Sequence, residues 1–362
     1  MTGLPGPTIS PSEVRSALRR GAGEWIRRFY RHQLDVARAV RGMELTAADE
    51  FDRLVVQPVI REVAGRLSTF DLRGQAIVLD AYPQLRAMMA EVRAIVQRGT
   101  DSLRQTVTDD MHRIANVELR FAASSAEKAL DIKPQSPVES MVLRAVDERP
   151  FLGLRTEEWF GKMLAGPTGD RARQFIQLGL QRGLTEAEIV RGLRGTQQSD
   201  YQDGILTGQS RRAVETLVRT ASTHASNVAR MESFHAIGVT KWRFLATLDL
   251  KTCPRCRAAD GKAFPLNQGP IPPLHPNTRS TAVPYFGDPI GTRASVDGQV
   301  PAEVDHEEWL RGLSIEEQDQ ALGRRIAVAW RAGRLDYQDL IGPDMEPLTM
   351  RELEQRNLIA AR

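Results

Sequence analysis

"KWRFLATLDLKTCPRCRAADGKAF", residues 241–264, is where the chain changes period. Up to about residue 237 the apolar residues recur at helical spacing. Here Trp242, Phe244, Ala246 and Leu248 alternate with Lys241, Arg243, Leu245 and Thr247, which is the period-two signature of a half-buried strand. Asp260-Gly261 is a hairpin-type turn signal, and Ala263-Phe264 supplies a returning strand. The same stretch holds Cys253 and Cys256, the only two cysteines among 362 residues. Eight of the 20 prolines fall between Pro254 and Pro289, so no long helix is expected there, and the residues after Cys256 are expected to turn back into a strand.

Upstream of this switch the pattern is helical. A long helix is expected over about 210–237, with Val214, Leu217, Val218, Ala221, Ala225, Val228 and Met231 on one face and Gly238 closing it. Thr185-Glu186-Ala187-Glu188 is a capping box that opens the helix before it. Further helices are expected near 46–67, 70–98, 102–130, 138–147, 155–165 and 170–183. At the N-terminus Val14, Leu18, Trp25, Phe29, Val36 and Val40 form one helical stripe. Eight arginines and three acids fill the rest of residues 12–42. Arg15, Arg19, Arg20, Arg27, Arg28 and Arg31 are therefore candidates for contact with an acidic partner or nucleic acid, against the plainer reading of a solvated face around a core stripe. Residues 1–11, with three prolines and two glycines, read as a flexible tail. Helical pattern resumes after about 302 through Trp309, Leu310, Leu313, Leu322, Ile326 and Trp330.

The expected fold class is α+β. A large helical region (12–204) is followed by a small α+β module (205–340) with a short β-sheet and a Cys/Pro-rich knuckle, then a C-terminal tail (341–362). Hydrophobic content of 41% and charged content of 26% are ordinary for a globular chain. The net charge is only +3, and six of the 49 basic residues are lysine. No apolar run approaches the ~20 residues that span a bilayer, and the N-terminus lacks a signal-peptide pattern, so a cytoplasmic product is expected.

The C-x2-C pair admits three chemistries. Two thiolates on a turn, with His275 beyond them, give three ligands for a tetrahedral metal, zinc being the cofactor this set admits. Structural zinc takes four, and Thr278 stands where a fourth ligand would fall; Asp249, Asp260 or His235 are the remaining candidates. A thioredoxin-like redox pair requires a helix opening at the first cysteine, and none is expected here. The third reading is a knuckle held by packing alone. Catalytic motifs are absent: no nucleophile elbow, no P-loop and no HExxH, while His306-Glu307-Glu308 has the wrong spacing. His112 after Asp109-Asp110 reads as a solvated helix face. As a zinc-knuckle nucleic-acid reader the module is thinly equipped, with Lys251, Arg255, Arg257 and Lys262 as nearby bases and Phe264 as the one aromatic.

The ordered set "LVRTASTHASNVARMESFHAIG", "KWRFLATLD", "TCPRC", "DGKAFPL", "PPLHPNTRS" and "VPYFG", followed by "WLRGLSIEEQDQALGRRIAVAWRAGRLDYQDL", resembles the C-terminal domain of the Mu F-like minor head proteins of tailed phages. The resemblance spans roughly residues 185–340. It rests on Arg219-Thr220, Asp249, Thr252-Cys253, Asp260-Gly261, Pro272-Pro273, His275-Pro276 and Arg279. Family members commonly carry cysteines where this chain has Thr278 and Ser280, a departure that weakens an inherited zinc site. Physical roles for these residues are structural. Asp249 can accept N–H bonds from the Thr252–Cys256 turn, Gly261 supplies a positive φ, Pro272 and Pro273 stiffen an extended loop, and the Arg279 fork suits Asp249 or Asp260.

The resemblance implies a structural, non-enzymatic, low-copy protein of the phage capsid. Its implied partners are the portal, scaffold and capsid proteins, with packaged DNA as a further contact. The implied location is the capsid interior near the portal, after assembly in the host cytoplasm. Some relatives append a toxin or ADP-ribosyltransferase domain; the ~60 residues after 300 are too few for one.

Overall fold

In the computed structural model the described residues are 11–69, 78–134, 136–266, 268–287, 292–296 and 298–360, without the side chains of Val14, Arg15, Leu18 and Arg19 among others. The expected tail, 1–11, lies outside them except for Pro11. The chain is 66% helical, with a small antiparallel sheet in its C-terminal half, so the α+β reading holds.

Helix α1, Pro11–Phe51, runs through a π turn at Asp52–Val56 into α2, Gln57–Leu67, without a break. Helix α3, Pro83–Leu130, is one helix of 48 residues where two were expected. Gly99 lies in the gap between the two expected segments. It allows close packing: a Cβ there would stand 2.4 Å from Val55 Cγ2 and 3.0 Å from the Leu54 carbonyl oxygen. The shorter helices follow: α4 Glu139–Glu148, α5 Thr156–Phe160, a second π turn at Gly161–Ala165, α6 Gly166–Gln181 and α7 Glu186–Arg194. The Thr185–Glu188 capping box forms as expected. Helix α8, Thr207–Ile237, ends at Gly238.

The chain divides into two compact units that interleave in sequence. One comprises residues 37–113 and 147–222; the other comprises 1–36, 114–146 and 223–362. Among its described residues the first unit holds helices and one isolated bridge, Phe151 to Leu154. Within it Arg219 of α8 forks onto the buried Glu44 of α1, Nε to Oε1 at 2.7 Å and Nη2 to Oε2 at 2.8 Å.

The second unit holds the sheet. Strands β1 Lys241–Leu245, β2 Ala263–Pro265 and β3 Thr281–Pro284 pair antiparallel in the order β2-β1-β3, with Trp242 opposite both Phe264 and Pro284. A separate ribbon pairs β4 Thr292–Ser295 with β5 Gly298–Pro301. Trp242 and Phe244 enter a core with Trp25, Phe29, Phe234 and Ile237, so Trp25 and Phe29 of the N-terminal stripe are core in this unit. A second core joins Leu248 and Ala258 to Trp309, Leu310, Trp330 and Leu340, contributed by α10 His306–Arg311, α11 Ile315–Leu322, α12 Arg324–Arg331 and the segment after them, which ends in α13 Met350–Gln355.

Two expectations fail here. Strand β1 is not half-buried: Arg243 is buried as well, its Nε donating to the Gly261 carbonyl at 2.8 Å and its Nη1 to that of Ala302 at 3.2 Å. A buried guanidinium satisfied by carbonyls mimics the outward residue of an alternating strand. A short helix also forms among the prolines: α9, Pro254–Ala259, with Pro254 at the first helical position, where no N–H is needed, and Cys253 as N-cap.

Candidate metal centre

The C-x2-C begins where β1 has ended and the chain turns. Asp249 organises that turn. Its Oδ1 accepts from Lys251 N at 2.9 Å and from Thr252 Oγ1 at 3.0 Å, and its Oδ2 from Arg279. Arg279 therefore uses Asp249, of the two carboxylates the sequence offered. Cys253 then caps α9, its Sγ accepting from Cys256 N at 3.5 Å. Cys256, one turn along, is buried.

His275 arrives on the proline loop. Arg255 Nη1 donates to the Leu274 carbonyl at 3.0 Å, tying this loop to α9. Thr278 shapes the loop from within. Its hydroxyl accepts from Leu274 N at 3.2 Å and His275 N at 3.0 Å, and donates to the His275 carbonyl at 2.6 Å. The Pro272–Pro273 peptide is cis instead of part of an extended proline run. His275 Nδ1 donates to the Pro276 carbonyl at 2.7 Å, which turns Nε2 toward the sulfurs, 2.9 Å from Cys253 Sγ and 3.5 Å from Cys256 Sγ.

These contacts set the protonation of the cluster. The hydrogen bond from Cys256, with further help from His275, draws the Cys253 thiol down to about 4 against the opposing effect of burial. The bond to Cys253, reinforced by burial, pushes Cys256 up. The same Cys253 contact raises His275 above its ordinary value.

Asp260 is the C-cap of α9, Gly261 follows it, and Pro273 precedes His275 by two residues. The Asp260 carboxylate takes four donors: Ala246 N at 2.6 Å, His306 N at 2.7 Å, and Arg293 Nη1 and Nη2 at 2.8 and 2.9 Å. Gly261 has φ of +76° and donates to the Phe244 carbonyl at 3.0 Å. Of the residues weighed as a fourth ligand, Asp249 and Asp260 are taken up by arginines and backbone, Thr278 by its own loop, and His235 is exposed. The cluster of possible ligand atoms is Cys253, Cys256 and His275, all within 4.8 Å of one another.

Sequence reading missed Arg293 and the buried pair of Glu118 and Arg230. Arg293 follows the proline stretch in a segment with no clear periodicity. Its signal was indirect: a carboxylate at a turn, Asp260, whose cation had to come from elsewhere. Glu118 and Arg230 lie 112 residues apart on helices α3 and α8, and no local pattern links them.

Residues 171–283 match the family model described as Phage Mu protein F like protein. That stretch runs from α6 into β3 and encloses the whole knuckle, and it is the part of the chain that is similar to the Mu F-like proteins. The helices after residue 302, part of the resemblance in sequence, lie beyond the matched residues. Neither the curated proteins nor the solved structures give a match.

Proposed function

We propose that this chain is a structural minor head protein of a tailed phage or prophage, acting with the portal in head assembly and in packaging or ejection of DNA. The observation that carries the reading is the family match over residues 171–283. The polar chemistry of the module supports it, because the groups an enzyme would use are spent on holding the fold. Asp249 and Asp260 are saturated by arginines and backbone. His306 lies buried between the Asp249 carbonyl at 3.0 Å and the Tyr337 hydroxyl at 3.3 Å.

The alternative of a nucleic-acid-reading knuckle is disfavoured by the bases around it. Arg257 is buried on the Ala321 and Leu250 carbonyls, Arg255 pairs with Glu346, and Lys262 contacts Gln338. The proposed location is the capsid interior near the portal, with assembly in the host cytoplasm. Scaffold and capsid proteins are the further partners. No described helix is long and apolar enough to cross a membrane.

The arginines of α1 are the proposed partner-facing surface. Arg20 and Arg31 are exposed, while Arg27 and Arg28 share Glu24; the side chains of Arg15 and Arg19 lie outside the described residues. Deleting residues 12–42 would remove Trp25 and Phe29 from the core, so the clean test is charge reversal. An R20E/R31E protein is expected to keep its thermal midpoint and to co-purify less with the portal. Unchanged co-purification would overturn this surface. An in-frame deletion of the whole gene tests the role itself: fewer DNA-filled, infective particles are expected, and a normal yield would overturn it.

A further inference from the structure

Three side chains, two from α9 and one from the proline loop, bring their possible ligand atoms within 4.8 Å of one another. Cys253 caps α9, Cys256 lies in its first turn, and His275 comes across on the proline loop. We propose that Cys253, Cys256 and His275 bind one zinc ion as its three protein ligands, with the fourth position filled by water or another small donor.

The spacing fits the ion. Tetrahedral zinc with Zn–S of about 2.3 Å and Zn–N of about 2.05 Å separates sulfur from nitrogen by about 3.5 Å. Cys256 Sγ and His275 Nε2 are 3.5 Å apart. Cys253 Sγ, at 2.9 Å from the same nitrogen, has to move outward by only a fraction of an ångström.

The imidazole is also held as a ligand is held. A carbonyl can only accept, so the contact of Nδ1 with Pro276 fixes the proton there and leaves Nε2 as the donor atom. Fixing one ring nitrogen on a carbonyl is the usual outer support of a metal-bound histidine. Two sulfurs and one imidazole are a soft donor set, suited to zinc over magnesium or calcium.

The count of three follows from the neighbours. The Thr278 hydroxyl makes three hydrogen bonds within its own loop, and Asp249 and Asp260 are bound to arginines. Ser280 is the residue placed to change the count. It is buried and neighbours Cys256, so position 280 is where a third sulfur is introduced in the test.

The test uses the full-length chain purified without chelators. Metal content by mass spectrometry is expected to show one zinc per chain, lost in C253S and in H275Q. If those variants fail to fold, cobalt(II) added to the metal-stripped wild type serves instead, and it is expected to give thiolate charge-transfer and tetrahedral bands. S280C is expected to hold zinc against a chromophoric chelator at least roughly tenfold more tightly than wild type, since it closes the open position. Folded wild-type protein that takes up neither zinc nor cobalt would overturn the site. So would zinc that survives both ligand substitutions in folded protein. Equal zinc affinity of S280C and wild type would overturn the assignment of three ligands with an open fourth position.

Discussion

Glu118 and Arg230 are both buried, and two hydrogen bonds of 2.9 and 2.7 Å join them, with Ser226 and His32 on the same carboxylate. Burial acts to raise the Glu118 carboxyl, but Arg230 and His32 hold it down at about 2. Glu118→Gln leaves a buried guanidinium without its counter-charge and is expected to cost about 3–5 kcal/mol in a urea titration. The same reasoning ranks the two arginines of the knuckle. Arg293 is enclosed with Asp260, whereas the Arg279 side chain is 40% exposed. Arg293→Ala is therefore expected to cost several times the ~1 kcal/mol expected for Arg279→Ala. Equal losses would contradict the difference in burial.

His306 gives the module a pH dependence. Burial, with Arg257 adding to it, lowers its pKa from the ordinary 6.5 to about 4. The unfolded chain then takes up the proton first as acid is added. Stability that is present above pH ~6.5 is lost as the pH falls toward ~4, by roughly 3 kcal/mol in all. His306→Gln is expected to flatten that limb of a urea-midpoint-against-pH curve. An unchanged limb would show that other groups cause it.

At the scale of elements, glycine had opposite meanings at two positions that look alike in sequence. Gly99 lies mid-helix in α3 where Leu54 and Val55 approach, and Gly42 lies in α1 with nothing within 4 Å of a Cβ. Gly99→Ala is expected to cost about 1–3 kcal/mol through overpacking. Gly42→Ala is expected to gain about 0.5–1 kcal/mol from helix propensity alone. Thermal midpoints that move in the same direction would contradict this reading of α3.

The pair also shows what sequence pattern conveys. Period and capping located α7, α8 and β1, because those signals are local. The continuity of α3, the π turns and the burial of Arg243 depend on what lies opposite in space, and pattern does not carry that. The knuckle was legible in part. Cys253, Cys256, His275 and the pairing of Arg279 with a carboxylate follow from spacing and chemistry. The partner of Asp260 did not, because Arg293 is 33 residues away in a segment without period.

At the scale of the molecule, three long helices each contribute to both compact units: α1 divides at 36/37, α3 at 113/114 and α8 at 222/223. The face of α8 read as one stripe serves two cores. Val214, Leu217, Val218 and Ala221 belong to one unit, and Ala225, Val228 and Met231 to the other. The most direct measurement is quantitative mass spectrometry of heads purified from a lysate of the phage or prophage that encodes the chain. The account predicts the protein in those heads at a copy number far below that of the major capsid protein, and enriched with the portal. Its absence from purified heads, while it is abundant in the same lysate, would contradict a structural role in the capsid.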